Sequence, residues 1–169
     1  MKILKTLNEE QATEEELAHF SHRTSVRVIM TRSDNDDIGL LYSQKLEYYT
    51  LPGGGVDEGE TLPEAAVREC KEETGYVVEV LKEIGATREV KKERTHVSEV
   101  NCFLAKVLEK GEAELMEDEI EEEFVVQWMS VSEAKKRVTE KIDRTSNLYN
   151  RYVAERVRVF LDEAFPGVQ

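Results

Sequence analysis

The chain has 169 residues, 40% of them hydrophobic and 35% charged, so it is long enough for one buried core, and a single domain over residues 1–169 is the expectation. A net charge of −13 disfavours a surface built to grip nucleic acid, no apolar run approaches the length of a membrane span, and the Met-Lys-Ile-Leu-Lys start leads into Asn8, Glu9, Glu10 and Gln11 where a signal peptide would be apolar. A cytoplasmic location is therefore expected, with Cys70 and Cys102 as buried, reduced thiols, since two cysteines make neither a disulfide framework nor the paired spacing of a zinc site.

Residues 13–22 read as a short helix, with Thr13 as a cap and Leu17, Ala18 and Phe20 recurring among Glu14, Glu15 and Glu16. Residues 25–31 are largely β-branched and apolar; a polar turn over 33–37 and a second apolar stretch over 38–42 suggest a hairpin. Residues 47–51 give another strand, ended by Pro52 and three consecutive glycines. Residues 61–74 are the best-specified helix: Thr61 and Glu64 have capping-box spacing, Pro63 is tolerated in the first turn, and Gly75 suits the left-handed position that ends a helix. Strand character returns at 76–81, 86–90, 97–107 and 124–128, and helices are expected over 132–138 and 144–165. In the last, Tyr149, Tyr152, Val153, Arg156, Val157, Phe160 and Ala164 form one stripe. Strands on both sides of a central helix, followed by terminal helices, point to an α/β layered domain with a mixed sheet.

The charge is unevenly placed. Residues 57–73 hold seven carboxylates against Arg68 and Lys71, residues 112–123 hold eight and no base, and these two segments account for the whole net charge. Bound divalent cations or an ordinary solvated face would each explain such segments. Glu69, Glu72 and Glu73, at i, i+3 and i+4 on the expected helix, crowd three carboxylates onto one strip, where they repel one another unless water or a cation intervenes. Hard oxygen donors at this density suit Mg²⁺ or Mn²⁺. Upstream, Gly53, Gly54 and Gly55 let the backbone approach a ligand or a neighbouring helix closely.

Read from Gly54, the chain runs Gly54, five residues, Glu60, seven residues, Arg68-Glu69-Cys70, Lys71, Glu72-Glu73, Thr74, Gly75-Tyr76. This resembles the Nudix box, Gly-x5-Glu-x7-Arg-Glu-U-x-Glu-Glu-x-Gly-U, where U is a bulky apolar residue. All seven fixed positions match, while Cys70 and Tyr76 stand where an aliphatic residue is usual. Leu51-Pro52-Gly53-Gly54 is similar to the family's lead-in, and the strand ending near Trp128 with a Ser-x-x-Glu-Ala helix start at 130–134 is similar to its later portion.

The resemblance implies an α/β/α sandwich with a mixed sheet between helices, its core about 25–138 with the helix over 144–165 packed on it, and metal-dependent hydrolysis of a pyrophosphate bond in a nucleoside diphosphate linked to a group X, nucleoside triphosphates first. It implies metal ligands at Glu69, Glu72 and Glu73, with Glu69 also engaging the attacking water and the Gly54 carbonyl as a further ligand. Arg68 and Glu60 would support the loop and helix as an ion pair. The general base would come from the acidic run 117–123, with Glu119 and Glu122 as candidates; a solvated loop is the other reading of that run. Gly53, Gly54, Gly55 and Arg88 are candidate substrate contacts, although an exposed hairpin is the favoured reading of the basic cluster Arg88, Lys91, Lys92, Arg94 and His96. Either Tyr48 or Tyr49 could stack on a base, while alternation makes one of them core. A small nucleotide is the expected partner, and the resemblance is compatible with a homodimer. Two other readings stay open: a nucleotide-binding sensor or regulatory module without catalysis, and removal of pyrophosphate from RNA 5′ ends.

Overall fold

A computed structural model describes residues 1–168 except 9, 33–36, 116–119 and 121–122. In chain order the elements are β1 (Ile3–Leu7), α1 (Glu14–Leu17), β2 (Ser21–Thr31), β3 (Asp37–Ser43), β4 (Tyr48–Thr50), α2 (Leu62–Thr74), β5 (Tyr76–Lys91), a 3₁₀ turn (Lys92–Arg94), β6 (His96–Lys110), β7 (Phe124–Ser130), α3 (Val131–Arg144) and α4 (Leu148–Ala164). The seven strands form one mixed sheet in the order β1-β5-β6-β2-β3-β4, with β7 on β3. The pairs β1·β5 and β2·β6 are parallel and the others antiparallel.

The sheet is covered on both faces. Val26, Val28 and Met30 of β2 pack with Ala65, Ala66 and Cys70 of α2, while Ile29, on the alternate face, joins Val157, Phe160 and Leu161 of α4. A strand buried on both sides reads as a nearly continuous apolar run, which is the pattern of residues 25–31. Arg27 is the one interruption of that pattern between Val26 and Met30.

Three expectations need correction, and one strand is new. The helix over 13–22 is one turn, Glu14–Leu17, because Ser21 already pairs with β6 through the bond from its amide to the Thr95 carbonyl. Residues 76–81 and 86–90 are parts of one strand; register shifts at Val80/Lys82 and Glu83/Gly85 absorb the break in the pattern. β1, which had no expectation, adds to the edge of β5, where the Leu4 side chain fills the space a Cβ on Gly85 would occupy. Arg144 belongs to the end of α3, and α4 begins after Asn147, whose side chain accepts from the Asn150 amide as an N-cap. The capping box of Thr61 and Glu64 and the left-handed Gly75 (φ 73°) are as expected. Among the described residues, no helix is long and apolar enough to cross a membrane.

Candidate functional site

The glycine loop is sewn to β2 by backbone bonds. The Val28 amide donates to the Pro52 carbonyl and the Val26 amide to the Gly54 carbonyl, each at 2.9 Å. A Cβ at Gly53, where φ is +138°, would overlap the Val26 carbonyl oxygen, so only glycine allows this approach. At Gly54 the space a Cβ would take belongs to the Glu69 carboxylate, both of whose oxygens lie 2.5 Å from it. Bare backbone is what lets the acid of α2 lie against the loop.

Arg68 ties the loop to the helix. It donates from Nε to Glu60 Oε1 (2.9 Å) and from Nη2 to Glu60 Oε2 (2.9 Å) and the Gly55 carbonyl (3.0 Å), while Nη1 reaches Glu69 Oε1 (2.9 Å) and Glu72 Oε2 (3.0 Å). The Glu60 and Arg68 ion pair is present, and the same guanidinium also holds two of the three crowded acids, which the sequence reading did not anticipate. Its side-chain hydrogen bonds, led by Glu60, push the Arg68 pKa up, and Arg68 in turn holds Glu60 below the usual carboxylate range. Burial pushes Glu69 up, opposed by Arg68. Glu73 faces elsewhere and accepts the Gly53 amide at 2.7 Å.

Glu69 stands between two hollows. One is lined by Arg23, Gly55, Asp57, Arg68, Glu72 and Glu114. The other, a cleft of about 320 Å³, brings Gly53, Gly54, Gly55, Glu69 and Glu73 together with Arg23, Arg27 and Arg156 and the aromatic Tyr48, Phe124 and Tyr149. Among the described residues no three acidic, imidazole or thiol side chains already form a closed metal cage. One oxygen each of Glu69 and Glu72 is on Arg68, and one oxygen of Glu73 is on the Gly53 amide. The donor chemistry nevertheless fits a hard divalent cation: carboxylate oxygens from one helix strip beside the Gly54 carbonyl, which has a second lone pair free of the Val26 bond.

The other expected residues are dispersed. Glu119 and Glu122 lie outside the described residues. Arg88 opposes Glu99 on the face of β5 that carries Val90, and it does not line the cleft. The rest of its basic cluster makes the β5–β6 hairpin, where Lys92 is paired with Glu16 at 2.8 Å. Tyr48 is buried along the cleft, while the Tyr49 hydroxyl faces Gln127 and Arg137 on the other side. Residues the sequence reading missed as site residues are Arg23, Arg27, Tyr149 and Arg156. The available signal was charge out of place: Arg27 within an apolar strand, and Arg156 within the apolar stripe of α4.

A family model described as NUDIX domain matches residues 21–149. Among curated proteins, the chain is 40% identical to an ADP-ribose pyrophosphatase of Methanocaldococcus jannaschii over 77 residues, 45% of this chain and 44% of that one. It is 45% identical to an RNA pyrophosphohydrolase of Caulobacter vibrioides over 69 residues, 39% of this chain and 40% of that one. The chain thus spans less than half the length of these curated relatives. Among solved structures, a NUDIX hydrolase from Nitrosomonas europaea superposes with a TM-score of 0.59 at 16% identity, covering 81% of this chain and 88% of that one. An ADP-ribose pyrophosphatase from Streptococcus suis does so at 0.53 and 20%, covering 86% and 93%. These structural likenesses extend the mixed α/β fold well beyond the sequence matches, and the family model covers most of the chain: the protein belongs to the NUDIX family.

Proposed function

We propose that this protein cleaves a pyrophosphate bond in a nucleoside diphosphate linked to a group X, with nucleoside triphosphates as the first candidates. The observation that carries this reading is the Arg68 network, which sets Glu69 and Glu72 beside the glycine loop while the Gly53 amide sets Glu73. The names of the relatives differ in substrate but share hydrolysis of a phosphoric anhydride.

Members of the family generally use divalent metal ions. Here Glu69, Glu72, Glu73 and the Gly54 carbonyl would hold Mg²⁺ or Mn²⁺, which when bound neutralises diphosphate charge and makes a coordinated water more acidic. The chain's own part is positional. Gly53 and Gly54 keep the loop close enough for backbone to meet a phosphate, and Glu69, raised by burial, accepts a hydrogen bond from the attacking water. The proton passes to Glu119 or Glu122 of the acidic run, or to Glu69 itself.

The test is a Mg²⁺- and Mn²⁺-supplemented screen of nucleoside triphosphates, ADP-ribose, dinucleotides, coenzyme A and triphosphorylated or capped RNA, scored by phosphate or pyrophosphate release. Hydrolysis that disappears in Glu72→Gln/Glu73→Gln, together with calorimetric metal binding, supports the reading. Metal binding unchanged by that pair of substitutions overturns it, and nucleotide binding without turnover makes the protein a sensor. The expected assembly is a homodimer, and sedimentation as a 19.4 kDa species would refute that.

A further inference from the structure

More arginines than acids line the cleft beside Glu69 and Glu73. In a chain of net charge −13, three arginines line it: Arg23 and Arg27 from β2 and Arg156 from α4. Arg156 is only 6% exposed. Its Nη1 donates to Glu89 Oε1 at 2.7 Å, yet its Nε is buried with no hydrogen-bond partner. The same holds for Arg27, whose Nη1 donates to the carbonyls of Val26 and Gly53 while its Nε is unpartnered. Burial and the nearby Arg156 charge both press the Arg27 pKa down, and Glu73 and Glu89 are the acids that oppose them.

A buried donor left unmatched costs on the order of 1–3 kcal/mol, so two guanidiniums that each keep one, and that both line one cleft, sit there at a cost that an anion on their remaining N–H groups would offset. The cavity of about 320 Å³ has room for a phosphate and part of a sugar or base. A guanidinium matches the oxygens of phosphate by geometry as well as charge.

We infer that Arg27 and Arg156 form a subsite for a terminal phosphate group of the substrate, with Glu89 as the residue that positions Arg156. This rests on the hydrolase reading of the neighbouring carboxylates and narrows X to a group that ends in phosphate. A nucleoside triphosphate offers one as an anhydride, and a nucleotide linked to a sugar phosphate offers one as an ester. Tyr149, at the mouth, and Phe124 give the same cleft an apolar wall for the remainder of the ligand.

Two measurements test it on the full chain. In the first, inorganic phosphate is titrated calorimetrically without divalent metal. Arg156→Met should weaken binding about tenfold, the scale of a lost charge-assisted bond. Glu89→Gln should tighten it, because Arg156 loses its counter-charge but keeps an amide oxygen to bond. A merely structural ion pair predicts no such opposite signs. Since Arg156→Met alone strands a buried carboxylate, Glu89→Gln/Arg156→Met serves as the folded control and should bind as weakly.

In the second, kcat/KM is compared for a nucleoside triphosphate, a nucleotide linked to a sugar phosphate, and a nucleoside diphosphate linked to an uncharged sugar. The double variant should lose about tenfold on whichever phosphate-ended substrate is used and remain within about threefold on the uncharged one. Equal losses on all three, or phosphate binding indifferent to both residues, overturns the subsite. Phosphate binding that follows the expected signs in a protein that hydrolyses nothing would retain the subsite and refute the hydrolase.

Discussion

Replacing Arg68 by Lys keeps the charge and removes the fork. Arg68 makes five hydrogen bonds from three nitrogens: two to Glu60, one to the Gly55 carbonyl, and one each to Glu69 and Glu72. An ammonium is a single point with a shorter reach, so it cannot span Glu60, the loop carbonyl and the helix acids together. Charge-assisted bonds in protected sites contribute about 1.5–3 kcal/mol each and exposed pairs about 0.2–1. The Arg68 side chain is 28% exposed and Glu60 15%, so the three bonds most certain to be lost, the Glu60 fork and Gly55, are worth about 2 kcal/mol together. For a domain of this size that is a fall in Tm of about 4–8 °C. Glu69 and Glu72 also lose the group that orients them, so the metal concentration for half-maximal hydrolysis should rise about tenfold. Calorimetric melting and a metal titration of activity read the two effects separately. In a double-mutant cycle with Glu60→Gln, the pair should lose less than the sum of the single variants. A variant that melts within about 1 °C of the wild type and needs no more metal would show that the network is ornamental.

Three further outcomes are expected. Glu60 is held below the usual carboxylate range by Arg68, so its contribution is full above its unfolded pKa and is lost as pH falls through the folded value; Glu60→Gln should flatten the acid limb of the stability profile and leave the profile near pH 8 parallel to wild type. Gly53→Ala places a side chain at φ +138° against the Val26 carbonyl, and a loss of about 2–4 kcal/mol in denaturant unfolding is expected, against about 1–2 kcal/mol for Gly59→Ala, which has open space around it and carries only the strain of its positive φ. Burial pushes the Cys70 thiol up to about 12 and the Cys102 thiol higher still, so a thiol reagent at pH 8 should label neither in the native protein and both in denaturant; rapid native labelling would mean that α2 or β6 opens readily.

The helix that carries the acids was legible because each of its signals is local. Thr61 with Glu64 and Gly75 fix its ends, and the spacing of Glu69, Glu72 and Glu73 fixes which face they share. The glycine loop was legible only in part: three glycines announce close approach, but not that Gly53 yields to the Val26 carbonyl and Gly54 to a carboxylate. The arginine side of the cleft was not legible, because it joins β2, β5 and α4 through contacts 67 residues apart in the pair of Arg156 with Glu89, and no local pattern encodes such a meeting. What the sequence did display was a cost. A guanidinium on the apolar stripe of α4 and another inside a doubly buried strand each oppose burial, and a carboxylate near the end of β5 is enclosed to 1% exposure. Taken together these three violations of the burial rule are mutually explanatory: Glu89 offsets Arg156, Arg27 braces the Gly53 carbonyl, and both guanidiniums line one cavity. Charges that break an otherwise apolar pattern in different elements of one chain are thus best read as a set, and where the set lines a cleft, an anion is the member to test for.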